Sequence, residues 1–155
     1  MVVISRGTKR RRRFLGVVTI ATLAFVASAC GLPAAAPPPS GGAAPSVVTT
    51  MNEYRGPAQL AVNDALTNLA ADWAAHLAAT GVLQHRNLGS VEGWTHLGET
   101  IVQGSCGISD AAVVTLWMNS PPHQAVMLSP VFTSAGVARV CAADGREWVV
   151  ADFGG

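Results

Sequence analysis

A chain of 155 residues has room for one ordinary domain; half of its residues are apolar, 12% are charged and the formal net charge is +1. The charge is unevenly placed. Arg6, Lys9, Arg10, Arg11, Arg12 and Arg13 account for six of the ten basic residues, and all nine acids lie from Glu53 onward. From residue 30 the chain therefore sets four arginines against nine acids, a net −5, and lacks the basic surface that phosphate neutralisation needs, which argues against a nucleic-acid partner. The apolar fraction also includes 26 alanines, which bury little area each, so a core has to lean on Trp73, Trp94, Trp117, Trp148 and the Leu and Val positions.

The basic start is followed by an apolar run over 14–27. A permanent bilayer-spanning helix needs about 20 such residues, so the run has the length and flanks of a secretory signal instead. Arg11-Arg12-Arg13-Phe14-Leu15 also fits a twin-arginine export pattern. Ala27-Ser28-Ala29-Cys30 satisfies both a small-x-small cleavage rule and a lipobox, and both cut before Cys30. Three cysteines are an odd number for an exported chain. Acylation of Cys30 leaves Cys106 and Cys141 to form a disulfide in an oxidising compartment, the alternative being two buried free thiols. The expected organisation is a signal peptide over 1–29, a lipid-anchored tether over 30–46 and a folded domain over 47–155. The stretch 31–46 holds five prolines, three glycines and no charge, a composition expected to build no core.

A short amphipathic helix is expected over 47–55, stopping before Gly56-Pro57. The next element is clearer: Asp64 as N-cap, then Leu66, Leu69, Ala70, Trp73 and Leu77 at helical spacing until Gly81. Residues 82–108 are punctuated by glycine, and Thr100-Ile101-Val102 reads as strand or helix. Ser109 or Asp110 caps a helix through Val113, Val114, Leu116 and Trp117. Ser120-Pro121-Pro122 opens another, with Ser120 as N-cap and prolines where a missing N–H costs nothing. The chain ends in a β-hairpin, 136–141 and 147–153, turning through 143–146. Helices followed by strands predict an antiparallel sheet with helices packed on it, an α+β sandwich.

Candidate chemistry rests on few residues. His85, Glu99 and His123 come from three separate segments and have the donor types of a Zn²⁺ site with an open position, although no His-x-x-x-His or Cys-x-x-Cys spacing demands one. A structural hydrogen-bond cluster satisfies the same pattern. Ser120, three residues before His123, invites a nucleophile–base reading, but as an N-cap its hydroxyl is expected to accept from first-turn N–H groups. His76 is expected on a helix surface, and His96 in the loop that carries Trp94.

Asn52-Glu53-Tyr54-Arg55, the Ala-rich helix ending near His85, Gly98-Glu99-Thr100, the run from Trp117-Met118-Asn119-Ser120-Pro121-Pro122-His123 to Leu128, Gly136-Val137-Ala138 and Trp148-Val149-Val150-Ala151-Asp152-Phe153-Gly154 occur in this order. Together they resemble the CAP superfamily (cysteine-rich secretory, antigen 5, pathogenesis-related 1) in its short bacterial form, over 47–155. The resemblance implies a three-layer α-β-α sandwich with an antiparallel central sheet and a cleft holding His85, Glu99 and His123. Thr100 stands where the family usually has Asn, and no acid stands near Ser120, where many eukaryotic members carry a second cleft glutamate. Family members are linked to sterols and other lipids, to divalent metal, to defence and wall-associated roles and, disputably, to proteolysis.

Three functions follow as expectations. The first is a monomeric, non-catalytic binding module, held at the outer face of the cell membrane by lipid on Cys30 or else secreted, and taking a lipid or cell-wall ligand. The second is a metal-assisted hydrolase, with Glu99 as general base on a water polarised by a divalent cation such as Zn²⁺ on His85 and His123. The third is a structural envelope protein.

Overall fold

The computed structural model describes residues 40–155; the segment expected to be a signal peptide, Cys30 and the first part of the expected tether lie outside the described residues. The elements in chain order are β1 (Ser40–Ala43), α1 (Pro45–Arg55), β2 (Ala61–Val62), α2 (Asp64–Thr80), β3 (Leu97–Ser105), α3 (Asp110–Met118), α4 (Pro121–Met127), β4 (Ser134–Cys141) and β5 (Arg146–Gly154). The main sheet runs β1-β4-β5-β3 with every neighbouring pair antiparallel, and the two-residue β2 joins β4 in parallel at Ser134 and Ala135.

The pleat divides the core into two layers. Ala135, Val137, Val149, Ala151 and Phe153 face α1, α3 and α4, where Val47, Val48, Met51, Val113, Val114 and Trp117 meet them. Ala138, Val140, Trp148, Val150 and Ile101 face Ala70, Ala74 and Leu77 of α2. This is the three-layer α-β-α arrangement that the family resemblance implies.

Helix α2 is held at both ends. Asn63, not Asp64, is its N-cap: the Asn63 side chain accepts from the Leu66 N–H at 3.1 Å, and Asp64 is the first helical residue, where its charge favours the helix dipole. Gly81 closes the other end in a left-handed conformation, with its N–H donating to Leu77 O at 2.8 Å. Leu66 and Leu77 are fully buried, each worth roughly 1.5–3 kcal/mol over exposure. The helix sits close because Gly136 has no side chain: a Cβ there would lie 2.0 Å from Thr67 N.

Part of the stretch expected to form a tether belongs to the fold. Residues Ser40–Ala43, inside the stretch expected to build nothing, pair antiparallel with β4 from Ser40↔Cys141 to Ala43↔Ala138, and Ala44 is buried. An edge strand needs only main-chain donors and acceptors, and Gly41 lets it approach, since a Cβ there would meet Arg139 O at 2.2 Å. Pro45 then opens α1.

Two further devices hold the fold. Cys106 and Cys141 form a disulfide across a sequence separation of 35 residues, worth roughly 3–4 kcal/mol in the chain-entropy picture. Arg55, only 6% exposed, donates to four main-chain oxygens: Ala58 at 2.7 Å, Ser129 at 3.1 Å, Phe132 at 2.9 Å and Met127. These hydrogen bonds fasten the end of α4 and the turn behind it to α1.

Candidate functional site

The connection from Gly81 to His96 has no regular structure beyond a turn and a bend, yet its first half is pinned. Trp73 Nε1 donates to Gln84 O at 3.1 Å, and Trp73 stacks on the exposed His76 ring with centroids 4.5 Å apart. Arg86 then turns inward: Nη1 donates to Leu69 O at 2.6 Å, Nη2 to Asp152 Oδ2, and the guanidinium lies 5.7 Å from the Trp73 ring. That anchor fixes the preceding residue. His85 Nδ1 donates to Glu99 Oε1 at 2.8 Å, the Arg86 N–H reaches the same oxygen at 3.3 Å, and Arg86 Nε lies 3.2 Å from Oε2 in an ion-pair contact without hydrogen-bond alignment.

Glu99 sits on β3, directly opposite Asp152 on β5. Both carboxylates are buried, at 8% and 1% exposure. Like charges in register are unfavourable unless a cation comes between them, and Arg86 is that cation. Burial pushes the Asp152 carboxyl up to about 6; the Arg86 hydrogen bond and charge pull it down, while the Glu99 charge adds to the rise.

His123 comes from the other side of β3. Ser120 occupies the N-cap position of α4 with Pro121 and Pro122 in the first turn, but its hydroxyl makes no capping bond. The expected cap therefore fails, because the two prolines supply no N–H and leave His123 as the only first-turn donor. No hydrogen bond among the described residues joins Ser120 to His123. The His123 ring lies 6.0 Å from that of His85, tilted by 52°. Burial, and after it the His85 charge, lower the His123 pKa.

The structure thus brings His85 onto Glu99 and His123 beside His85. Thr100 points to the opposite face of the sheet, fully buried and with no partner for its hydroxyl among the described residues. Sequence reading missed Arg86 and Asp152, which organise the site.

These residues do not fit a three-ligand zinc site. Among the described residues no three of His, Cys, Asp and Glu are grouped to hold a metal ion. Glu99 is engaged on one oxygen by His85 and the Arg86 N–H and faces the Arg86 guanidinium with the other, which leaves two imidazoles as candidate donors. The same engagement removes Glu99 as a free general base.

Two cavities adjoin the imidazoles. The larger, about 410 Å³, is lined by Leu83, Ile101, Val102, Gln103, Leu116, Trp117, Ser120 and His123. The smaller, about 200 Å³, is lined by Leu83, Gln84, His85, Ile101 and His123. Among the described residues, His123 and His85 are the only titratable groups in either wall, and the walls are mostly apolar.

A sandwich of this order with two histidines at a cleft defines a class of domain, and comparison with known proteins identifies it. The sequence model of the CAP domain, described as the cysteine-rich secretory protein family, matches residues 48–153. The chain belongs to this family. Its fold is similar to that of an outer surface protein from Borrelia burgdorferi, with a TM-score of 0.62 and 20% identity, over 74% of this chain and 98% of that one. It is also similar to an extracellular protein containing a SCP domain from Bacillus anthracis, with a TM-score of 0.56 and 20% identity, over 70% of this chain but only 39% of that one. At these identities the likeness shows the fold. The search of curated proteins returns no match.

Proposed function

We propose that this chain is an exported, lipid-anchored CAP-domain protein that binds a lipid or cell-wall component of the envelope without turning it over. The observation that carries the reading is the groove of about 410 Å³ with Leu83 and Leu116, 57% and 46% exposed, in its wall and no carboxylate among the described residues that line it. Apolar walls with a few polar groups are the usual composition of a ligand site. The carboxylate that hydrolysis would need is held by Arg86 and His85 instead. The signal-like start, Cys30 and the likeness to an outer surface protein and an extracellular protein support the location.

Equilibrium binding of envelope lipid extract and of soluble wall fragments to the full chain is expected to saturate, and to weaken at least tenfold in Leu116→Asp. Saturation unaffected by Leu116→Asp, His85→Ala and His123→Ala alike would overturn the groove. For the anchor, fatty-acid labelling is expected in the wild type and absent in Cys30→Ser; equal labelling would mean plain secretion.

A further inference from the structure

Strand β3 forms one edge of the sheet, and its pairing sets the direction of its main-chain groups. His96 and Gly155 exchange both main-chain hydrogen bonds, at 2.8 and 3.1 Å. The pairing then runs unbroken from Leu97↔Gly154 to Ser105↔Arg146, and the Cys106 N–H reaches Gly145 O at 2.9 Å. In an antiparallel ladder bonded and non-bonded pairs alternate. Gly98, Thr100, Val102 and Gly104 therefore bond to β5, whereas the N–H and C=O groups of Ile101 and Gln103 point away from the sheet. Those groups make no hydrogen bond with any other described residue.

This outward edge lies in the groove. Three consecutive residues, Ile101, Val102 and Gln103, line the larger cavity although their side chains alternate between faces, so the cavity follows the strand's edge. Leu83 walls it on the α2 side, and Leu116 and His123 wall it on the α3–α4 side. Exposed edges are normally blunted by shortness, lysine, proline or a bulge. At the other edge β1 is four residues long, but β3 has nine, with no lysine, proline or bulge, and its one charged residue, Glu99, is turned inward.

We propose that β3 is a docking strand: an extended, uncharged polypeptide segment from another protein lies in the groove and pairs with Ile101 and Gln103. Each of these residues exchanges two main-chain hydrogen bonds with the added strand, and the segment's alternate side chains contact Leu83 on one wall and Leu116 on the other. The inference rests on the non-catalytic binding-module reading and takes the envelope component in the groove to be a polypeptide rather than a lipid. A lipid tail would use the apolar walls but leave the four edge groups unpaired, which is costly once water is displaced. The protein's own 31–39 segment is a poor occupant, since Pro33, Pro37, Pro38 and Pro39 lack the N–H that a ladder needs, and β1, which follows it, lies at the far edge. A second copy of the folded sheet is blocked, because walls on both sides of the edge admit a single strand.

The test uses the full chain and a pool of capped, uncharged seven-residue peptides randomised over Val, Ile, Thr, Ser and Ala. Peptides are expected to be retained, to slow amide exchange at Ile101 and Gln103 at least tenfold, and to leave exchange at Thr100 and Val102 unchanged. N-methylating alternate amides of a retained peptide is expected to weaken it at least tenfold in the register that faces β3. Gln103→Pro, which removes a donor with no bond in the free protein, is expected to do the same with the melting temperature unchanged. If that variant unfolds, the N-methyl series decides alone. No peptide retained, or no loss on N-methylation in either register, would overturn the proposal. Saturable uptake of palmitic acid with no peptide retained would overturn the strand and leave the binding-module reading standing. Retained peptides that are cleaved by the wild type but not by Glu99→Gln would overturn that reading instead, while protection at Ile101 and Gln103 would still support the strand.

Discussion

Two of the inward-turned arginines, Arg55 and Arg86, do different work. Arg55 turns back against the α4 turn and gives its hydrogen bonds to neutral main-chain oxygens. Burial lowers its pKa, and no carboxylate among the described residues pairs with it to oppose the shift. Arg86 reaches across a loop and sits between two buried carboxylates, Glu99 and Asp152. One therefore fastens chain to chain without any charge partner. The other holds a charge cluster together at the cleft, and whatever depends on it depends on pH.

The largest expected effect breaks the first half of that comparison. Arg55→Met leaves several buried carbonyls without donors, at about 1–3 kcal/mol for each one truly stranded, and is expected to lose roughly 3–5 kcal/mol of unfolding free energy. The loss should be the same at pH 5 and pH 8. Arg86→Met strands two carboxylates, so its loss should be larger at pH 8, where Asp152 is charged, than at pH 5, where a proton on Asp152 can replace the missing cation. Urea unfolding of both variants at the two pH values decides: parallel pH dependence would refute the division of roles.

A smaller effect sharpens the second half. Asp152 is raised to about 6 by burial while Arg86 pulls it down. For an acid whose folded pKa lies above its unfolded value, the native state binds the proton more tightly. Its contribution to stability therefore falls as pH rises from about 4 to 6. Arg86→Gln removes the opposing cation and is expected to move the Asp152 titration above 6, read from its side-chain carboxyl carbon by NMR. A downward movement would mean that Arg86 acts only by excluding water.

What was legible in the sequence followed from side-chain periodicity and chain punctuation. Helix α2 announces itself through Leu66, Leu77 and the stop at Gly81, and the β4–β5 hairpin through two apolar runs on either side of the turn residues Asp144-Gly145. Strand β1 has no such period, because its pairing is main-chain and Gly41 contributes by having no side chain. The pairing of His85 with Glu99 spans 14 residues and an irregular loop; family order, not spacing, indicated it. Arg86 and Asp152 stayed hidden because their role needs the register Glu99↔Asp152, and register is a property of two strands. The cap expected of Ser120 failed for a readable reason, since two prolines leave the hydroxyl almost nothing to accept from.

The smallest effect tests whether the charge cluster extends past Glu99 to the far wall of the cleft. His123 is held neutral first by burial and second by the His85 charge. A histidine with a lowered folded pKa contributes stability that is present at neutral pH and lost as pH falls through the ordinary histidine range, because the unfolded chain takes the proton first. His85→Gln removes the repulsion and keeps the burial. The His123 titration is then expected to rise part of the way toward its ordinary value, followed by its ring proton shifts in NMR. A full return would make the His85 charge, rather than burial, the main cause of the shift. No movement at all would mean that charge at His85 is already compensated by Glu99, so that the network organised by Arg86 ends at β3 and His123 belongs to the groove alone.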